Sequence, residues 1–425
     1  MEEMIMKRID CSPEIIKDDR SPTGYFVTFR YQWSDGQKKT ADKIGLIGDW
    51  MFSDLHHSSH FESARLWPHQ WRPDVFPHTL LGLKKTPEAL LEGTPQEKIH
   101  PETFDFDWEV LMLGYYEMDR IDGGLFTKTI PLPSGTFNYR FVLDIPEGNP
   151  LKMVTVCDPD NLPLTVGGKP QPYSQVHVPF DEVRQSLDRS VELPWQGDGA
   201  GHVEIISYPT DKAFDCGGSC AAAVYLPQGY DPAGTKTYPV LYLSHGGGGN
   251  AGDWLNQGAL KNMMDHFIGR GQAGPMAVVM MDNEEFRWDN AGKCIPNLKN
   301  YLIPYIEKRY NLGRCKEMRA FAGFSAGGFL AYEVLATVPE MFDYIGVWSG
   351  GKRILACPEP AANPHIQVHV GAGRYDDAFY SFGYKLEDLL HETGIPFTSF
   401  FPEGAHQWSV WRRLLEDFVC RVLWR

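Results

Sequence analysis

The chain has 425 residues, with 55 acidic against 40 basic side chains and a formal net charge of −15 at neutral pH. A surplus of that sign excludes nucleic acid and anionic membrane as partners, because both are bound through a basic footprint. No apolar run is long enough to span a bilayer, and the length allows two or three domains with a large core. The first residues, Met1-Glu2-Glu3-Met4, carry early acids and no apolar core. They do not read as a signal peptide, and a cytoplasmic protein is expected. Eight cysteines include one close pair, Cys216 and Cys220. With no second pair and no histidines at ligand spacing, no metal is expected and the thiols read as free and buried.

Residues 24–50 read as strands: Tyr25–Tyr31 alternates with period two, and Lys43–Trp50 closes on a Gly-Asp turn. From 51 to 108 the sequence is irregular and rich in His, Pro and aromatics, with one short helix expected near Thr86–Gly93. So long an irregular stretch inside a compact domain is unusual and often functional. It contains His56, His57 and His60; a helix would put His56 and His60 on one face. No acid or cysteine is spaced to complete a metal site there, so a solvated loop is the plainer reading. Strand patterns return at Trp108–Tyr116, Gly124–Leu132 and Gly135–Asp144, and an all-β sandwich is expected.

Three short motifs extend that expectation. Gly48-Asp49-Trp50, the alternating Gly135-x-Phe137-x-Tyr139-x-Phe141, and Asp158-Pro159-Asp160-Asn161 together resemble the early-set, immunoglobulin-like domain related to carbohydrate-binding module family 48. The resemblance spans roughly residues 20–165 and is interrupted by the 51–108 insertion. It implies either sugar binding, a structural role, or a wall over a neighbouring active site. Residues 1–175 are taken as this sandwich. The polar, Pro- and Gly-containing stretch 176–200 is taken as a linker.

From 201 the pattern becomes alternating strands and helices. Strands are expected at Ala221–Leu226, Val240–Ser244, Ala277–Asp282, Arg319–Gly323, Ile345–Ser349, Gln367–Gly371 and Phe397–Phe401. Helices are expected at Asn297–Tyr310, Gly327–Val338, Ser381–Thr393 and Val410–Leu423. Apolar strands separated by helices imply a mainly parallel sheet covered on both faces, the α/β-hydrolase layout over 201–425.

Between one such strand and its helix lies Gly323-Phe324-Ser325-Ala326-Gly327. Glycine two residues either side of a serine marks a nucleophile elbow, in which the turn leaves no room for side chains at the flanking positions. Serine needs a base to take its proton, and the base needs an acid to hold its ring. His391 sits mid-helix and His365 at a strand's entrance, the wrong edge of the sheet. His406 follows the last strand, where a loop can carry it over the elbow, and is the expected base. The acid should follow the preceding strand; Asp376 is favoured there by its Gly373-x-x-Asp376 spacing, and Asp377 remains the alternative. Oxyanion donors are expected at the Ala326 N–H and, from the Gly-rich loop Ser244–Asn250, at Gly247. His245 in that loop reads as structural.

These motifs, with Val224-Tyr225-Leu226-Pro227, Tyr238-Pro239-Val240-Leu241-Tyr242-Leu243-Ser244-His245-Gly246, Leu302-Ile303-Pro304-Tyr305-Ile306-Glu307 and His406-x-Trp408-x-x-Trp411, resemble one esterase family across 203–425. It contains feruloyl and other family 1 carbohydrate esterases, S-formylglutathione hydrolase, mycolyltransferases and enterochelin esterase. One departure is Ala326, where methionine is frequent. The resemblance implies ester cleavage through an acyl-serine, without metal or organic cofactor. Trp254, Phe286, Trp288 and Trp408 are expected to bind the substrate by stacking. The acids of 282–289 do not suit a highly anionic siderophore. Feruloyl or acetyl esters of carbohydrates are therefore the expected substrates. A siderophore esterase, an acyltransferase and a non-catalytic sugar-binding protein are the alternatives; oligomeric state is not legible.

Overall fold

The computed structural model describes residues 12–21, 23–33, 43–49, 116–121, 124–144, 154–185, 187–211, 218–283, 290–350, 363–373, 376–402 and 406–425, the side chains of 170 and 377–381 excepted. Outside this description lie the 51–108 insertion with its expected helix and its histidines His56, His57 and His60. Phe286 and Trp288 also lie outside it. The described chain divides into two compact units. The first takes in the described residues up to Pro163 together with Pro172–Ser190; the second takes in Leu164–Gln171 and Val191–Arg425.

The regular elements described in the first unit are β-strands. Its strands are β1 (Glu14–Lys17), β2 (Tyr25–Gln32), β3 (Gly45–Gly48), β4 (Tyr116–Glu117), β5 (Asp119–Arg120), β6 (Leu125–Pro131), β7 (Gly135–Asp144) and β8 (Val154–Val156). A ribbon of β9 (Thr165–Val166) and β10 (Lys169–Pro170) belongs to the second unit, and β11 (Ser174–Val178) returns to the first. Two antiparallel sheets result, in the orders β1-β2-β6-β5 and β11-β7-β3-β4, with β8 also on β7. Period-two patterning sends Val27, Phe29 and Tyr31 of β2 inward. There Phe29 meets Tyr139 edge-on with centroids 4.8 Å apart, and Tyr31 meets Phe141 at 4.9 Å. The Asp-Pro-Asp-Asn motif is structural. Asp158 is fully buried, its Oδ2 accepts the Tyr139 hydroxyl at 2.6 Å, and Asn161 donates to the same hydroxyl at 3.0 Å. Asp49 likewise holds Asn138, whose side-chain amide it accepts at 3.0 Å.

The second unit is built on eight strands: β12 (His202–Pro209), β13 (Ser219–Leu226), β14 (Val240–Ser244), β15 (Ala277–Met281), β16 (Arg319–Phe324), β17 (Tyr344–Trp348), β18 (Gln367–Gly371) and β19 (Phe397–Phe400). Their order is β12-β13-β15-β14-β16-β17-β18-β19. The first two pairings are antiparallel and the rest parallel. Five helices matter below: α1 (Leu260–Gly269), α2 (Ile303–Arg309), α3 (Ala326–Thr337), α4 (Asp377–Thr393) and α5 (Trp408–Asp417). Tyr242, Val279 and Phe321 pack on one face with residues of α2, α3 and α4. Leu241, Leu243 and Val278 pack on the other with residues of α1 and α5. A strand covered on both faces must be apolar at successive positions, which is why these strands read as unbroken apolar runs.

Several expectations need correction. The stretch 176–200 is not a free linker: Val176 and Val178 lie in the first core, while Val191 lies in the second. Cys220 is disulfide-bonded; among the described cysteines Cys157, Cys294, Cys315 and Cys420 form no disulfide, and Cys315 is exposed rather than buried. The helix expected from Ser381 begins at Asp377. Among the described residues no helix is long and apolar enough to cross a membrane.

Candidate active site

The parallel register brings three strand ends together: Ser244 of β14 pairs with both Met281 of β15 and Gly323 of β16. Ser325 follows β16 and caps α3 at φ 54°, ψ −121°, a region that non-glycine residues occupy only under constraint. The neighbouring glycines explain the constraint. A Cβ at Gly327 would lie 2.6 Å from the His245 oxygen, and one at Gly323 would overlap the Gly327 carbonyl. The elbow therefore closes only with glycine at both places, and it lifts the serine side chain off the sheet.

His406 reaches that hydroxyl from the segment between β19 and α5. Its Nε2 lies 3.0 Å from Ser325 Oγ, and its Nδ1 lies 2.8 Å from Asp376 Oδ2. Asp376 occupies the cap position of α4 and is 2% exposed. A carboxylate only accepts, so Nδ1 carries the proton and Nε2 presents its lone pair to the serine O–H. Asp377, the alternative acid, is the first residue of α4; its side chain lies outside the described structure. Trp411 steadies the ring: it meets His406 edge-on at 4.9 Å, stacks on Phe324 at 3.9 Å, and donates its indole N–H to Ser349 Oγ at 3.2 Å.

Against the elbow runs the Gly-rich loop. His245 is buried and bonded at both ends: Nδ1–H donates to the Gly246 oxygen at 2.7 Å, and Nε2 accepts the Asn283 N–H at 3.0 Å. Burial alone would lower its pKa, but Asp282 and Asp253 raise it above the ordinary imidazole value. The expectation of a structural His245 matches this geometry. A Cβ at Gly247 would come 3.9 Å from Ala326 Cβ, so the two expected oxyanion donors lie on main chains that approach closely. Ala326 is the first residue of α3, where helix N–H groups have no intrahelical acceptor.

Two of the expected substrate-stacking residues are core. Trp254 is 1% exposed, bonds the Ser244 oxygen through Nε1 at 3.0 Å, and packs edge-on against Phe324, Trp348 and Trp408. Trp408 is also buried, with its indole N–H donated to Gln257 Oε1 at 2.9 Å. Neither presents a ring face to a ligand. The other two, Phe286 and Trp288, lie outside the described residues. Sequence reasoning passed over His369, a buried histidine inside β18. Among the described residues no three His, Cys, Asp or Glu side chains gather as metal ligands would.

The strand order and the strand–Ser325–helix turn between β16 and α3 define the α/β-hydrolase fold. Residues 215–421 match the model of the family described as "Putative esterase". Among curated proteins the chain is similar to the endo-1,4-beta-xylanase/feruloyl esterase of Xylanibacter ruminicola, 32% identical over 230 residues covering 52% of this chain and 31% of that protein. It is also similar to endo-1,4-beta-xylanase Y of Acetivibrio thermocellus, 31% identical over 239 residues covering 47% of this chain and 21% of that protein. The chain thus spans about a third or less of the length of these relatives. The enterobactin esterase FES of Shigella flexneri shares the fold, with a TM-score of 0.57, 15% identity, and coverage of 96% of this chain and 95% of that one.

Proposed function

We propose that the second unit is a serine carboxylic-ester hydrolase acting through an acyl-enzyme, with Ser325 as nucleophile, His406 as base and Asp376 as the acid that orients it. The observation that carries this reading is the unbroken series Asp376–His406–Ser325, at 2.8 and 3.0 Å, ending on a strained serine. As Ser325 Oγ attacks the ester carbonyl carbon, its proton passes to His406 Nε2, and Asp376 stabilises the imidazolium. The carbonyl oxygen becomes an oxyanion beside the Ala326 and Gly247 N–H groups. Collapse breaks the ester C–O bond, and His406 returns its proton to the departing alcohol. Water then attacks the acyl-serine by the same route, releasing the carboxylic acid and restoring the hydroxyl.

The substrate reading is a feruloyl or acetyl ester of a carbohydrate, supported by the activity named for the Xylanibacter relative. A siderophore ester is the second reading; the fold shared with the Shigella enterobactin esterase is compatible with it but does not argue for it. Residues 1–175 are read as an accessory sandwich. Methyl ferulate, an acetylated xylo-oligosaccharide and a tri-catecholate lactone should be assayed side by side. Release of ferulate or acetate, reduced roughly 10³-fold or more by Ser325→Ala, is the expected result. Preference for the lactone would favour the second reading, and no Ser325-dependent cleavage of any ester would overturn both.

A further inference from the structure

Behind the elbow lies a buried bridge that the mechanism above does not use. Trp348 ends β17, and its carbonyl oxygen accepts the Ser325 N–H at 3.0 Å. A Cβ at Gly328, in the first turn of α3, would overlap that same oxygen. The strained serine and the start of its helix therefore both rest on one peptide group, and its position sets theirs.

The Trp348 side chain is fixed in turn. Its indole N–H donates to His369 Nδ1 at 2.8 Å, and His369 Nε2 donates to Asp417 Oδ2 at 3.1 Å. Asp417 Oδ1 accepts from Arg421 at 2.7 Å. Both Trp348 and His369 are completely buried. The neutral ring has one donor and one acceptor nitrogen, and an indole only donates, so the tautomer is determined. Two glycines make the reach feasible. His369 pairs across the sheet with Gly346, over which the indole folds: a Cβ there would lie 3.0 Å from Trp348 Cε2. Gly371, two residues beyond His369, lets Leu414 of α5 come down onto the sheet, since a Cβ there would overlap Leu414 Cδ2. Asp417 ends the helix that begins two residues after His406.

We infer that His369 is a positioning residue: by accepting the Trp348 indole N–H it fixes the peptide group on which the Ser325 elbow rests, and by donating to Asp417 it ties that group to the helix following His406. It touches neither substrate nor the reacting atoms. The inference rests on the esterase reading above.

Three substitutions separate this role from mere filling of space. Asparagine places an acceptor oxygen near the Nδ1 position, whereas phenylalanine fills the volume of the ring without any acceptor. His369→Phe should lower kcat about 10- to 100-fold with KM for the best ester changed by less than about twofold. His369→Asn should keep kcat within about threefold of the parent, although it packs worse. Trp348→Phe, which removes the donor, should resemble His369→Phe, and the pair should not be additive. Kinetics are normalised to folded protein by near-ultraviolet circular dichroism. If His369→Phe keeps full kcat, or if Asn is the more damaging of the two, the inference is overturned. Where no ester is cleaved by the parent chain, the esterase reading fails. The rate of Ser325 labelling by a fluorophosphonate then decides the positioning role, with Phe slowed and Asn not expected, and equal rates overturning it.

Discussion

Asp376 Oδ2 lies 2.8 Å from His406 Nδ1 at the cap of α4, while Asp377 begins the helix itself. The carboxylate proposed as the acid is thus held on the last non-helical residue, one position before the chain turns into a regular spiral. Asp376→Asn leaves a side chain of the same shape that no longer fixes the Nδ1–H tautomer. It should lower kcat by about 10³- to 10⁴-fold. Asp377→Asn should change kcat by less than about twofold. Steady-state hydrolysis of one aryl ester by both variants is sufficient; comparable losses would place the acid elsewhere.

Gly327 tests whether the elbow and the Gly-rich loop are one unit. Alanine there would put a methyl group 2.6 Å from the His245 oxygen and 2.8 Å from Ser244 Oγ. The His245 oxygen cannot withdraw cheaply, since it accepts the Asn283 side-chain amide at 3.3 Å and its residue is bonded at both ring nitrogens. Overpacking of this kind costs about 1–3 kcal/mol, and any relief pushes the loop away from Ala326. Gly327→Ala should lower the urea midpoint and also lower kcat of the folded enzyme. A change in stability alone would mean that the loop does not carry an oxyanion donor.

The elbow, β14 and β18 were legible because each is a local pattern, an apolar run or a pair of glycines at fixed spacing. That His406 lies beside Ser325 was legible because the α/β-hydrolase layout puts one loop histidine at the correct sheet edge. Trp254 and Trp408 were not, because an aromatic residue after a strand has the same sequence signature whether it faces a ligand or the core. Their burial depends on α5 packing beside the 250–259 segment, seen in the bond from Trp408 to Gln257, 151 residues apart. His369 was hidden for the same reason: its partners are 21 and 48 residues away, and its own strand reads as plain core. β12 was missed because its burial follows no clean alternation.

Trp254 provides a direct check on that correction. As a core residue, Trp254→Ala should destabilise by about 3–5 kcal/mol, with KM of the remaining folded enzyme unchanged. As a stacking platform it would instead raise KM with little loss of stability. Denaturant unfolding paired with substrate saturation curves distinguishes the two.

The ion pair between Arg412 of α5 and Glu192 is also buried, at 2.6 Å with both side chains no more than 2% exposed. Arg412 Nε additionally donates to the Gln257 oxygen at 3.1 Å. Removing one partner leaves an uncompensated charge in a low-dielectric setting, at a cost of about 3–5 kcal/mol. Glu192→Gln or Arg412→Met should each show this by urea unfolding. The double replacement Glu192→Met with Arg412→Met should recover much of the loss, because it buries no charge. A double variant as unstable as the sum of the singles would mean that shape, not charge, dominates there.

The His369–Asp417 pair predicts an acid-side stability dependence. Burial lowers the His369 pKa below the ordinary imidazole value of 6.5, against the opposing pull of Asp417. Burial would raise the Asp417 pKa, but bonds and charge from His369 and Arg421 hold it below its ordinary 3.8. As pH falls through 6.5, the unfolded imidazole takes up a proton before the folded one does. The unfolded state then binds more protons, and stability falls with pH. The Asp417 contribution has the same sign but acts only below 3.8. His369→Asn removes the imidazole and should therefore lose less stability than the parent chain between pH 7.5 and pH 5, measured by urea unfolding at each pH. Parallel losses in the two proteins would show that His369 is not kept neutral by the fold.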